Sequence, residues 1–192
     1  RLRSSRSATE ECFLFRHDDD PFARWDAGQS YLTRAVIDAA ETGGDGAVLE
    51  DDFLDAVEQI LKDPAIEPAF AAELLTLPGE TVLADAMLPA DPAAIHKARN
   101  DARREIGRRH AALFRTIYDR LSGAYAPDDM STGAMGTRAL KALALGYLVA
   151  SGDHAERALA ADQAAAATTM TETMSALQAL NNVACPERET AM

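Results

Sequence analysis

The chain has 192 residues, 47% of them hydrophobic, and a net charge of −12 from 19 basic and 31 acidic side chains. This length and hydrophobic content suffice for a buried core and exclude a disordered chain. The negative charge repels phosphate backbones and anionic lipids, so it disfavours nucleic-acid and membrane binding. Because the apolar residues are mostly Ala and Leu, with few β-branched or aromatic side chains, the composition predicts an all-α fold.

Cysteine usage and the N-terminus bear on the cellular setting. Cys12 and Cys185 lie near opposite ends and form no metal-ligand spacing, so we expect reduced thiols in a cytoplasmic protein. No window approaches the roughly eighteen apolar residues of a membrane span, and the start lacks the apolar run of a signal peptide. The sequence begins without Met. We therefore expect a piece of a longer protein, with residues 1–12 as an interdomain linker or a cloning remnant.

Helix boundaries in the first third of the chain follow from Asp, Pro and Gly. An Asp-Pro pair at residues 20–21 predicts a helix start, and "TGGDG" at residues 42–46 predicts its end and is expected to be only a turn. Asp51 or Asp52 is expected to cap a second helix that ends before Pro64. Six residues of the first helix have near-helical spacing: Phe22, Trp25, Gln29, Leu32, Val36 and Ala39.

The middle of the chain contains two short helices and one long one. The short helices are predicted after Pro68 and after Gly79, and they end before Pro78 and Pro89. A second Asp-Pro pair at residues 91–92 then begins a helix of roughly 30 residues, which the pattern continues to about residue 122.

Three further helices are predicted in the last third. One follows the loop "GAYAPDD", residues 123–129, and ends at residues 151–153; Asp153 then caps the next. Thr169 with Glu172 fits a capping box that begins the last helix, which ends near residues 181–182. The sequence thus predicts seven or eight helices that alternate in direction.

The stretch "DARREIGRRHAALF", residues 101–114, raises the question of a metal site. Glu105 and His110 are five residues apart and point about 140° away from each other on a helix, whereas a zinc-protease helix uses His at i and i+4. His96 lies roughly 21 Å from His110 along the predicted axis. The stretch therefore predicts no metal site unless another segment supplies the remaining ligands.

The same helix separates basic from apolar side chains. The basic side lacks interleaved aromatic residues, and the whole chain is acidic, so we expect it to face water and not nucleic acid. The basic set is Lys97, Arg104, Arg108 and Arg115. The predicted buried stripe is Ile95, Ala102, Ile106, Leu113 and Ile117.

Other chemically suggestive residues have structural interpretations. His17 and His154 have no Ser or Cys at a suggestive spacing, so we expect surface or cap positions. The acidic pairs at residues 51–52 and 128–129 are expected at helix starts, where the helix dipole favours negative charge. Phe22 and Trp25 are expected in the core.

Four sequence blocks stand out in order: "DPFARWDAGQ" (20–29), "LLTLPGETVLA" (74–84), "DPAAIHKAR" (91–99) and "RALKALALGYLVA" (138–150). In sequence, order and spacing they resemble the helical C-terminal domain of bacterial aminopeptidase N, a family of zinc metallopeptidases. The resemblance covers essentially everything from residue 13 onward. It implies that residues 13–192 belong to an α-superhelix of stacked antiparallel helices, similar to an armadillo or HEAT solenoid.

The catalytic motifs of that family do not occur in this sequence. The family uses an H-E-x-x-H helix with a distant Glu as zinc ligands, and a G-A-M-E-N stretch that holds the substrate amine. Here no His is followed by Glu, and "GAMG" at residues 133–136 shares three letters on a predicted helix. At residues 168–172 the family's Asn-Asn-Met-Thr-Asp pattern is replaced by Thr-Thr-Met-Thr-Glu, which exchanges one helix cap for another. We assign no catalytic, cofactor-binding or metal-binding residue to this chain.

The resemblance implies a non-catalytic part of a zinc-dependent cytoplasmic aminopeptidase that removes N-terminal residues from peptides. We expect the chain to restrict access to the active-site cavity, with the parent's catalytic domain as its partner and zinc held there. By itself the chain is expected to be inactive, and we expect it to form a dimer or to associate through its last helix. A stand-alone helical scaffold for protein partners is the alternative. A helix-turn-helix regulator is disfavoured because residues 80–88 carry no Arg or Lys.

Overall fold

A computed structural model of the chain describes residues 6–43 and 46–191. Within these ranges every regular element is an α-helix, which confirms the all-α prediction. The described residues form eleven helices, against the seven or eight predicted. They are α1 (Ala8–His17), α2 (Pro21–Thr42), α3 (Asp51–Lys62), α4 (Pro68–Leu74), α5 (Glu80–Ala86), α6 (Pro92–Arg109), α7 (Ala111–Leu121), α8 (Thr132–Ser151), α9 (His154–Ala166), α10 (Met170–Asn181) and α11 (Pro186–Ala191).

The helix α1 forms where a linker was expected. Ser7 accepts a hydrogen bond from the backbone N–H of Glu10, and the Glu10 carboxylate accepts one from the backbone N–H of Ser7, a complete capping box. Glu11 and Cys12 are buried. Residues 8–12 are therefore helical and contribute to a core, while residues 1–5 lie outside the described part.

The long helix predicted from residue 92 to residue 122 is broken at His110. This residue has φ −118° and ψ 20° and forms the N-cap of α7, so the prediction of one continuous helix was wrong. Because of the break, the side chains of α7 do not continue the angular spacing of α6. Phe114 is fully buried in α7, and Leu113 of the predicted stripe is only half-buried. His110 itself is buried, contrary to the expected solvated face. The other four residues of the stripe are buried as predicted.

Most predicted helix ends are confirmed by local hydrogen bonds. Asp20 and Asp153 accept bonds from backbone N–H groups of the first turns of α2 and α9, and Gly43 ends α2 in the left-handed conformation. The predicted starts at residues 51–52 and 128–129 were each displaced. The N-cap of α3 is Glu50, with the two Asp residues in the first turn, and the N-cap of α8 is Ser131.

Two compact units divide the chain. The first comprises residues 1–63 and 76–102, and the second comprises residues 64–75 and 103–192. In the first unit, α1 contacts α2 and α3, and α2 contacts α5. Phe53 stacks between two other rings, with centroids 5.1 Å from Phe15 and 4.3 Å from Tyr31. Gly28 of α2 makes room for this stack, since a Cβ there would lie 2.6 Å from the Phe15 ring.

The second unit is organised around α8, which contacts α4, α7, α9 and α10. Tyr147 of α8 stacks on Phe114 with centroids 4.8 Å apart, and its hydroxyl donates a 2.6 Å hydrogen bond to the Leu75 carbonyl. Two glycines permit close helix contacts: Gly107 meets the backbone of Tyr147, and Gly136 meets Ala69 of α4. Close packing of this kind leaves α8 little freedom to move within the unit.

The expected burial of Phe22 and Trp25 was wrong. Phe22 is 69% exposed and Trp25 is 37% exposed, with ring centroids 5.9 Å apart. For Phe22, the position on α2 explains this. The buried face of α2 contains Gly28 and Leu32, and Phe22 lies well off that face at about 100° per residue.

Candidate functional site

The histidines are distributed over α1, α6, the α6–α7 break and α9, and Glu105 lies on α6. His96 is exposed on α6, where its Nδ1 lies 2.8 Å from a Glu80 carboxylate oxygen and its Nε2 lies 2.9 Å from the Asn100 amide nitrogen. His110 is buried at the α6–α7 break. In the ranges that the structure describes, no three His, Cys, Asp or Glu side chains are grouped as metal ligands.

The remaining two histidines lie at helix ends, as predicted. His17 is exposed as the last residue of α1, with its ring centroid 5.0 Å from that of Phe13. His154 is the first residue of α9, exposed, with Nε2 3.3 Å from a Glu187 carboxylate oxygen. Neither contact involves a nucleophile.

Two arginines of the predicted basic side, Arg108 and Arg115, bind partners within the second unit. Arg108 donates from Nε to the Ser151 carbonyl at 3.1 Å, near the C-terminus of α8. Arg115 binds the Asp119 carboxylate one turn away at 3.0 Å and Glu156 of α9 at 3.3 Å. These two arginines therefore connect neighbouring helices, and part of the predicted basic side is compensated by acidic partners.

An ionic contact between a buried carboxylate and a partly exposed arginine in the first unit was not indicated by any sequence motif. Glu11 of α1 is only 4% exposed, and its carboxylate lies 2.7 Å from the guanidinium of Arg34 on α2. Burial raises the pKa of Glu11, and the attraction of Arg34 opposes that rise. Burial likewise raises the pKa of the neighbouring Cys12 thiol to about 11, so this thiol is held protonated.

A pocket of about 440 Å³ lies in the second unit, between the loop after α7 and the helices α8 and α10. Its polar wall contains Arg138 and Lys141 of α8 with Thr169 and Glu172 of α10. Thr169 caps α10 through the Glu172 N–H, as the capping-box motif predicted. The Glu172 carboxylate, however, binds the Lys141 ammonium at 2.7 Å. The sequence pattern predicted the cap but not the pocket, because only the tertiary fold brings Lys141 and Glu172 together.

In residues 6–43 and 46–191 these features describe packed α-helices with no group of three or more His, Cys, Asp or Glu side chains that could hold a metal ion. The family model described as "Domain of unknown function (DUF3458_C) ARM repeats" matches residues 8–192. The chain belongs to this family, and the armadillo-like architecture expected from the resemblance is confirmed.

Two relatives confirm the resemblance to aminopeptidase N. The chain is 37% identical over 142 residues to aminopeptidase N of Caulobacter vibrioides, a match that covers 73% of this chain and 16% of the relative. It is 31% identical over 182 residues to aminopeptidase N of Escherichia coli, covering 94% of this chain and 21% of the relative. The chain thus spans about a sixth to a fifth of the length of these relatives.

One solved structure shares the fold. The crystal structure of Legionella pneumophila aminopeptidase A in complex with aspartic acid superposes with a TM-score of 0.82 at 21% identity. The match covers 98% of this chain and 23% of the Legionella chain. At this level of identity the comparison establishes the helical fold alone. Among the described helices, none is long and apolar enough to cross a membrane.

Proposed function

We propose that the chain is the non-catalytic helical domain of a zinc-dependent aminopeptidase that removes N-terminal residues from peptides in the cytoplasm. The observation that carries the proposal is the match to two aminopeptidases N, one of which extends over 94% of the chain. The helical fold of the described residues supports it, since stacked helix pairs present an extended surface.

The contribution of the domain is steric. Its helices form one side of the cavity that leads to the active site, so that short peptides enter and folded proteins do not. Such a wall must be rigid. The close contacts of Gly107 and Gly136 and the stacked rings of Phe114 and Tyr147 support a rigid wall in the second unit.

Zinc would be held outside this chain. The described residues do not fit a catalytic zinc ion, because such an ion needs three protein ligands and no group of three is present among them. The zinc and the general base would come from the catalytic domain of the longer protein, which is the partner we propose. The chain alone should show no zinc-dependent release of amino acids from alanine amide substrates.

The exposed aromatic pair Phe22–Trp25 is a candidate contact with the rest of the longer protein. Aromatic side chains left exposed on a domain surface are a common mark of an interface. The same pair also supports the alternative function, a stand-alone scaffold that binds other proteins. The two are distinguished by the coding sequence around this segment: an upstream H-E-x-x-H in the same frame supports the peptidase, and a start codon directly before Arg1 supports the scaffold.

The test uses the longer protein with and without residues 13–192. Without the domain, we expect cleavage of a dipeptide amide to persist and cleavage of long polypeptides to increase, because the cavity is open. If the truncated protein fails to fold, as judged by its zinc content, the isolated chain is added in trans to a refolding mixture. Unchanged discrimination between short and long substrates by a folded truncated protein contradicts the steric role.

A further inference from the structure

The α8–α10 pocket has two cationic side chains in its lining. Arg138 and Lys141 lie one turn apart on α8 and both line it, whereas Glu172 is the one acidic side chain in its lining. The N-terminus of α10, capped by Thr169, adds the positive end of a helix dipole. In the lining one carboxylate stands against two cations, and the Asp129 carboxylate, outside the lining, also interacts electrostatically with Arg138.

Hydrogen bonds hold the cationic wall in place. Lys141 is 12% exposed, is bound to Glu172, and lies 5.2 Å above the Tyr118 ring. The Tyr118 hydroxyl donates to Gln163 at 2.6 Å. Gln163 in turn donates to the Glu172 backbone carbonyl at 2.9 Å and to the Ser175 hydroxyl at 3.0 Å. Because each of these groups is fixed by another, the Lys141 ammonium is positioned without a ligand.

Donors remain for a ligand on this wall. A guanidinium has five N–H groups, and Arg138 uses one in its 2.6 Å bond to the Asp129 carbonyl. An ammonium has three, and Lys141 uses one on Glu172. Arg138 is half-buried, so its charge is less screened by water than that of an exposed arginine.

The opposite wall is mostly apolar. It consists of Leu121 at the end of α7 and the loop that follows, with Ala124, Tyr125 and Pro127 lining the pocket. The volume of about 440 Å³ lies in the range of small-molecule sites. The remaining donors of Arg138 and Lys141, one turn apart on α8, suit the two oxygens of a carboxylate, and an apolar wall suits an organic body.

We propose that the α8–α10 pocket binds a small organic carboxylate, with the carboxylate on Arg138 and Lys141 and the apolar body against the loop that carries Tyr125. This binding site is separate from the proposed steric role and does not rest on it. A bound carboxylate also links the loop after α7 to α8, so it would stabilise this part of the second unit.

The test is an NMR titration of the whole chain with phenylacetate, with phenylacetamide as the neutral probe of the same shape. We expect saturable shifts of the backbone amides of Ala124, Thr137 and Thr169 at probe concentrations up to about 10 mM with phenylacetate only. Arg138→Gln should weaken binding about tenfold, the loss expected for one charge-assisted hydrogen bond. Arg104→Gln, which removes the same charge from an exposed site on α6, should leave it unchanged.

Three results would overturn the proposal. They are no saturable shift with phenylacetate, equal binding of phenylacetamide, and equal effects of the two Arg→Gln variants. Far-ultraviolet circular dichroism of both variants shows whether each is folded. If Arg138→Gln is unfolded, the salt dependence of phenylacetate binding to the unsubstituted chain decides, because binding through two cations must weaken as the salt concentration rises.

Discussion

Gly107 of α6 lies so close to Tyr147 of α8 that a methyl group on residue 107 would lie 2.3 Å from the Tyr147 carbonyl oxygen. No Cβ can be accommodated at this distance without a shift of one helix backbone. The contact joins the helix that precedes the His110 break to the central helix of the second unit. A glycine at this position is therefore required by packing and not by backbone conformation.

Gly107→Ala should destabilise the chain by about 1–3 kcal/mol, because the added methyl forces the two helices apart. Gly146→Ala is the matched control, since a Cβ on residue 146 meets nothing within 4 Å. That variant should be stabilised by up to about 1 kcal/mol, as expected for Gly→Ala inside a helix. Urea unfolding of the two variants measures both effects. Equal changes of the same sign contradict the assigned contact.

Glu11 should make the chain less stable as the pH rises. Its pKa in the folded chain is raised above the ordinary value of 4.5, mainly by burial. The folded state therefore holds this proton at pH values where the unfolded state has lost it. The stabilisation is complete below 4.5 and is lost as the pH rises through the raised pKa. In Glu11→Gln this loss should disappear, as measured by the difference in unfolding free energy between the two proteins across this range.

Glu10 on the same helix provides a control of opposite sign. Its hydrogen bonds with Ser7 lower its pKa, the backbone N–H contributing most. The stability that depends on Glu10 is present above 4.5 and is lost as the pH falls through the lowered pKa. In Glu10→Gln the loss of stability that accompanies this fall in pH should therefore disappear. If both variants change the pH profile in the same direction, the assignment of Glu11 is wrong.

Cys12 should react slowly with alkylating reagents in the folded chain. Its pKa is raised from 9.0 to about 11, first by burial and then by Glu50 and Asp52. The reactive thiolate is thus about a hundredfold scarcer than in the unfolded chain at the same pH. Iodoacetamide labelling of Cys185→Ser, followed by mass spectrometry with and without urea, measures this ratio. Similar rates in the two states contradict the burial of Cys12.

The isolated chain should self-associate through Phe22 and Trp25. Removing this exposed aromatic surface by Phe22→Ser should shift sedimentation toward the monomer, since water-exposed aromatic area favours association. Val82→Ser on α5 is the control, because Val82 is an aliphatic side chain that is 56% exposed. A dimer that persists in Phe22→Ser, or a monomer at all concentrations of the unsubstituted chain, contradicts this contact.

Sequence patterns predicted what depends on near neighbours along the chain. The cap residues of α2, α9 and α10 accept hydrogen bonds from backbone N–H groups no more than three residues away. Asp20, Asp153 and Thr169 were therefore sufficient to predict these helix starts. The buried faces of regular helices also followed from spacing, as Ile106 and Ile117 show.

What sequence patterns could not predict depends on distant contacts. No local signal marks the break at His110, because neither Pro nor Gly stands there, and the break moved Phe114 into the core. Phe22 is apolar at helical spacing, but no other segment of the described chain covers it. The Lys141–Glu172 pair spans 31 residues, so only the fold brings it together.

The most direct test of the central claim is the ratio of two cleavage rates in the longer protein. One substrate is a dipeptide amide, and the other is a polypeptide of about 30 residues, longer than a closed cavity admits. Removal of residues 13–192 should leave the dipeptide rate within a few-fold and raise the relative rate on the polypeptide by about tenfold or more, a change of at least about 1.4 kcal/mol in discrimination. An unchanged ratio in a folded, zinc-loaded protein would contradict the proposal that this helical domain restricts access to the active site.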